Sequence, residues 1–71
     1  MWTYYKQIYP SGTWVLFRED DARHQEVFHR QNGWQPSSQL WQRRRKGDID
    51  ANDRIGEAEA LALIRSLAPP P

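Results

Sequence analysis

The densest charge in the sequence is the run Arg43, Arg44, Arg45 and Lys46. Such groups neutralise phosphates, and the nearby indoles of Trp34 and Trp41 offer π-faces on which bases stack, so these residues outline a nucleic-acid-binding site. On a helix, consecutive positions turn by about 100°. The four cations then sweep most of the circumference and cannot all follow one phosphate backbone. The same run also suits a solvated helix end, where positive charge meets the C-terminal dipole and long stems cover neighbouring rings. A third use is as the complement of an acidic protein.

A second constellation occupies residues 48–59. Asp48, Asp50, Asn52 and Glu59 place side-chain oxygens at the first, third, fifth and twelfth positions of this stretch, with the Arg54 carbonyl at the seventh and Ile55 at the eighth. Calcium takes about six to eight hard oxygen ligands, and this spacing can wrap a loop round one ion. The pattern resembles the calcium loop of EF-hands and dockerin modules, and the resemblance implies a single Ca²⁺ site. Asp53 stands at the sixth position, where those loops carry glycine. Without an ion, Glu59 reads as a helix-capping residue and the aspartates as a solvated loop.

The remaining reactive residue types do not converge. His24 and His29 lie near Asp20, Asp21 and Glu26, a set that includes zinc-ligand types. On a strand the two imidazoles point to opposite faces. Ser11, Ser37, Ser38 and Ser66 fall in turns, a cap and a helix, without the context of a nucleophile elbow. There is no cysteine and no glycine-rich phosphate loop. The expectation is a chain that is not an enzyme and has no cofactor.

The elements that hold these residues follow from periodicity. Residues 2–9 are rich in aromatic and β-branched types and read as a strand. Pro10, Ser11 and Gly12 make a turn, and residues 13–19 form the returning strand. Pairing Tyr9 with Thr13 sets Ile8 opposite Trp14 and Tyr5 opposite Phe17. One face then carries Trp2, Tyr4, Ile8, Trp14 and Leu16, and the other Tyr5, Tyr9, Val15 and Phe17. Residues 26–30 read as a third strand. Asn32 and Gly33 signal a turn, with Trp34 and Gln35 as the stub of a fourth. Ser37 is a candidate N-cap for a short helix at 38–46 that Gly47 stops. Leu40, Trp41 and Arg44 are expected on one side of it. After a polar loop, Gly56 precedes a helix at 57–67, whose stripe of Ala60, Leu61, Ile64, Leu67 and Ala68 has helical period.

Composition bounds what this can become. Leu, Ile, Val and Phe fill under a fifth of the chain, yet the net charge is only +1 and there are four tryptophans and three tyrosines. A few buried rings, each removing about 150–250 Å² from water, replace many aliphatics. The expectation is one α+β domain over residues 1–68. It holds a three-stranded antiparallel sheet with room for a fourth stub, a short helix, and a C-terminal helix packed on one sheet face. Residues 69–71 are expected to be a disordered proline tail. No segment has the length of a membrane span and the N-terminal residues lack the order of a signal peptide, so the expected location is cytoplasmic.

The succession Tyr4-Tyr5, Pro10-Ser11-Gly12, Gly33-Trp34-Gln35-Pro36-Ser37, Leu40-Trp41, Gly47-Asp48 and Arg54-Ile55 resembles short uncharacterised proteins of high-GC bacteria and their phages. That resemblance implies one compact domain and no particular activity. The functional expectation is a binding module that meets a protein, or a second copy of itself, through an aromatic sheet face. Tyr5, Tyr9, Trp14, Trp34 and Trp41 are its contacts. The alternatives are nucleic-acid binding through Arg43, Arg44, Arg45 and Lys46, and the calcium loop.

Overall fold

The computed structural model describes residues 1–67. Ala68 and the expected proline tail lie outside the described residues. The first hairpin joins β1 (Thr3–Ile8) to β2 (Trp14–Glu19). The Gly12 N–H donates to the Tyr9 carbonyl at 2.9 Å and the Tyr9 N–H to the Thr13 carbonyl at 2.8 Å. Gly12 has φ +89°, the left-handed residue that closes a three-residue loop after a type I turn. This turn fixes the expected register, with Ile8 opposite Trp14 and Tyr5 opposite Phe17.

The sheet continues through β3 (Gln25–His29) and β4 (Gly33–Pro36), and the strand order is β4-β3-β2-β1-β5 with every pairing antiparallel. It therefore has five strands where the sequence indicates three and a stub. The strand missed entirely is β5, Arg54–Ile55, which pairs with Tyr5 and Tyr4 of β1. Two residues carry no readable periodicity, and their pairing depends on where the preceding loop delivers them.

Both faces receive a helix. Helix α1, Gln39–Lys46, lies over the face of Phe17 and Val27 and buries Leu40 there. Eight residues are too few for a stable isolated helix, so tertiary anchors hold it. The Trp41 N–H donates to Gln25 Oε1 at 3.0 Å, and Arg43 Nη1 donates to Gln7 Oε1 at 2.7 Å. The helix starts one residue later than expected, so the N-cap is Ser38 rather than Ser37, and the Ser38 side chain makes no capping bond; the Ser37 hydroxyl accepts from the Gln39 N–H at 3.1 Å. At the other end Gly47 has φ +82°, with the Asp48 N–H bonded to the Arg43 carbonyl and the Gly47 N–H to that of Arg44. This Schellman-type reversal delivers Ile49 into the core beside Phe17, Val27 and Leu40, at 1% exposure.

Residues 48–53, expected to be a polar spacer, thus contain one of the four largest fully buried side chains. Beyond Ile49 the Asp50 carboxylate accepts from the Asn52 N–H, and Asp53 accepts from the Asp50 N–H, which fixes a 3₁₀ turn at Ala51–Asp53. That turn sets β5 against β1.

The opposite face buries Tyr4 and Leu16. Helix α2, Glu57–Leu67, packs against β1 and buries Ala60 completely, with Leu63, Ile64 and Leu67 half-buried. Leu61, expected in the buried stripe, is 44% exposed, so the inward stripe runs through Leu63 instead. The β2–β4 part of this face is closed by its own side chains. The Arg18 guanidinium lies 4.0 Å from the Trp2 ring centroid and 4.4 Å from that of Trp34, and its Nη2 and Nε reach Glu26 Oε1 at 2.6 and 2.7 Å. Trp34 also meets Phe28 edge-on at 5.3 Å and Tyr4 at 6.0 Å.

Two variants test this architecture. Ile49→Ala is expected to cost about 3 kcal/mol, a large share of the roughly 4–11 kcal/mol available to a domain of this size; urea unfolding measures it, and an unchanged midpoint would show that the loop is not part of the core. Arg18→Lys keeps the charge but loses the planar guanidinium between two indoles. It is expected to cost about 1–2 kcal/mol and to weaken the near-ultraviolet circular dichroism of the tryptophans.

Candidate functional site

Trp41 follows fully buried Leu40 on α1, yet it is 52% exposed. Leu40 and Arg44, four residues apart, point to the sheet, and the intervening turn of the helix carries Trp41 outward. The expected grouping of Leu40, Trp41 and Arg44 on one side therefore loses Trp41. Large indoles seldom stay this exposed in a small domain. The backbone here is tied to the sheet: the Trp41 N–H is bonded to Gln25, and Gln25 Nε2 donates to Glu19 Oε2 at 2.7 Å. Arg45, one turn on, sets its guanidinium 5.2 Å from the Trp41 ring centroid.

Trp41 forms a ridge between two open grooves. One, of about 620 Å³, is lined by Arg23, His24, Gln25, Pro36, Ser37 and Trp41 among others. The other, of about 450 Å³, is lined by Trp41, Gln42, Arg45 and Lys46. Arg23, Arg45 and Lys46 are exposed, and none forms an ion pair with another of the described residues. His24 is hydrogen-bonded to Asp20 at 2.9 Å.

The other aromatic residues expected at one surface are distributed over two sheet faces. Tyr5 and Tyr9 belong to the face of Phe17, where the guanidinium of Arg44 lies 5.2 Å from the Tyr5 ring and that of Arg43 lies 5.7 Å from the Tyr9 ring. Trp14 and Trp34 are on the opposite face, both half-buried, and Trp34 is occupied by Arg18. The five residues do not form one patch, because α1 covers the first face and α2 with the Arg18 sandwich covers much of the second.

The basic run is divided in the same way. Arg43 bonds Gln7, and Arg44 bonds Glu19 at 3.3 Å. Arg45 and Lys46 remain on the outer surface beside Trp41. The calcium-type pattern does not gather its oxygens: Asp50 and Asp53 serve the 3₁₀ turn, Arg54 is in β5, Glu59 is on α2, and Asp48 follows the helix stop. Among the described residues no group of three or more His, Cys, Asp or Glu is placed to hold a metal ion. His29 ends β3, away from the Asp20–His24 pair.

Two carboxyls depart from their ordinary titration. Burial alone would raise that of Glu19, but hydrogen bonds from Gln25 and Arg44 and the charges of Arg44 and Arg23 outweigh it and hold the group below 4.5. The Asp20 carboxyl is also lowered, chiefly by its hydrogen bond with His24 and further by the His24 and Ala22 N–H groups. A carboxyl lowered in the folded state contributes stability that is complete above its unfolded value and is lost as pH falls through the folded one. Stability is therefore expected to be level above about pH 5 and to fall below Glu19's ordinary 4.5. Glu19→Gln should flatten that acid limb in urea titrations; an unchanged pH profile would show that the Glu19–Arg44 link is inconsequential.

Arg23, His24 and Gln25 were not marked as site residues by the sequence. They reach Trp41 because α1 crosses β3, a tertiary arrangement with no local signature. No family model, curated protein or solved structure matches this chain. Among the described residues no helix is long and apolar enough to cross a membrane.

Proposed function

We propose that this chain is a small, non-catalytic module that binds a protein, with the outer surface of α1 as its docking site. The observation that carries this reading is Trp41, half-exposed on a helix whose backbone is tied to the sheet through Gln25. Trp and Arg are the residue types that most often dominate interface energetics, and a helix fixed to the sheet before binding needs little ordering on contact. The surface differs from the sheet face anticipated from the sequence, since both faces carry cover.

Nucleic-acid binding through all of Arg43, Arg44, Arg45 and Lys46 is the weaker reading. Arg43 and Arg44 are engaged with Gln7 and Glu19, which leaves a short cationic edge on a chain of net charge +1.

The test places a photoreactive benzoylphenylalanine at Trp41 and, separately, at Arg30 in the exposed β3–β4 turn, in the cells of origin. A discrete adduct from position 41, absent from position 30 and suppressed by excess unmodified chain, is the expected result. An adduct of twice the chain's mass would identify the partner as a second copy. No adduct, or equal labelling from both positions, would remove the proposal.

A further inference from the structure

The chemistry around Trp41 limits what can dock there. On one side of the ring lie Arg45 and Lys46, and across the larger groove lie Arg23 and His24. Arg23, Arg45 and Lys46 have no ion-pair partner among the described residues. The acidic residue in the groove wall, Glu19, is neutralised by Arg44 at 3.3 Å, and Gln25 also bonds it. The remaining wall is neutral and partly apolar, with Pro36, Ser37 and Gln25. The surface is thus an apolar ridge with positive charge at Arg45 and Lys46 on one flank, while across the groove the Arg23 charge also acts on the Glu19 carboxylate and His24 is bonded to that of Asp20.

We infer that the partner is an acidic segment of another protein, with an apolar side chain that seats against Trp41 and carboxylates beside it that meet Arg45 and Lys46. The inference rests on the protein-binding reading above and adds the partner's chemistry. Opposite charge across an interface steers encounter and fixes register, while a buried aromatic anchor supplies most of the affinity. The arrangement suits a peptide better than a nucleic acid. A single strand needs a cationic track with successive rings exposed for stacking. Here one indole stands alone and carries the Arg45 guanidinium 5.2 Å from its centroid. Carboxylates, by contrast, match a few separated guanidinium and ammonium groups, because each can be bonded individually.

The experiment selects short random peptides on the intact protein and measures the enriched sequences by fluorescence anisotropy. The comparison proteins are Trp41→Ser and the double variant Arg45→Glu, Lys46→Glu, each first shown to be folded by circular dichroism. Enriched peptides are expected to carry Asp or Glu next to an apolar residue. Their binding should be lost with Trp41→Ser and weakened about tenfold or more by the charge reversal. Replacing the peptide carboxylates with amides should weaken it similarly, and so should raising salt from about 50 to about 300 mM. Neutral or basic peptides that bind in a Trp41-dependent way would overturn the acidic partner and leave the docking surface standing. Peptides that bind Trp41→Ser equally well, or no enrichment at all, would overturn the inference at this surface. A single-stranded oligonucleotide is measured in parallel; tighter binding than the peptides, abolished by the charge reversal, would reassign the surface to nucleic acid. The crosslinking result at position 41 is independent of peptide charge, so failure of the two proposals is distinguishable.

Discussion

Leu40 and Ile49 closing over Phe17 and Val27 is the contact on which the rest of this molecule depends. These four side chains come from two strands, a helix and a loop, and each is at most 4% exposed. Removing either upper residue strips part of the aliphatic cover from the strand face. Leu40 seats the helix that positions Trp41, while Ile49 fixes where the chain goes after Gly47. The 3₁₀ turn, the β5 strand and the entry to α2 are all downstream of that placement. A few kcal/mol of burial at these positions thus sets both the candidate surface and the fifth strand.

The scarcity of aliphatics forces a second device. Two short helices cannot cover both faces of a five-stranded sheet, and arginines supply the missing cover. Arg43 extends over Phe17 and toward Gln7, Arg44 reaches Tyr5 and Glu19, and Arg18 fills the space between Trp2 and Trp34 while Glu26 holds its edge. In each case the guanidinium lies near a ring while its N–H groups find a side-chain oxygen, a combination that the compact ammonium of lysine does not reproduce. The arginines consumed in this way are unavailable for ligands. This is why the basic run, uniform in sequence, separates into an inward pair with structural contacts and an outward pair beside Trp41.

Much of the fold was legible because local chemistry determined it. Pro10, Ser11 and Gly12 specify one loop geometry, and that loop specifies the register of the first two strands. Gly47 stops α1 because it alone of its neighbours adopts the left-handed conformation without strain. What escaped the sequence was decided at a distance. A single isoleucine in an acidic stretch has no period, and only the chain reversal at Gly47 reveals that Ile49 turns inward. Arg54 and Ile55 become a strand because the edge of β1 lies alongside them. The candidate site was legible in one residue, Trp41, but its association with Tyr5, Tyr9, Trp14 and Trp34 was not realised. Alternation in strands separated the tyrosines from the tryptophans, and the helix turned Trp41 away from both groups. Arg23 and His24, in the β2–β3 connection, approach Trp41 only through the crossing of α1 over β3.

The sheet edges narrow how such a molecule can associate. The Ser37 N–H donates to the Gln25 carbonyl at 3.1 Å, which makes that pair a hydrogen-bonded one in the antiparallel ladder. By alternation the next pair, Glu26 with Pro36, is not, so the backbone groups of residue 36 point away from β3 toward the open edge. Proline has no N–H to offer there. The β4 edge consequently presents the Trp34 amide and carbonyl but only a carbonyl at Pro36, a poor template for an added strand. The opposite edge, β5, is two residues long. The β4 edge thus disfavours strand addition, whereas β5 pairs only with Tyr4 and Tyr5 and leaves the outer edge of β1 without a strand partner over Lys6–Ile8. Association through the face is obstructed by the two helices and the arginine cover. The outer surface of α1 carries neither obstruction: Trp41 is 52% exposed there beside Arg45 and Lys46, which is the basis of the docking site proposed for it.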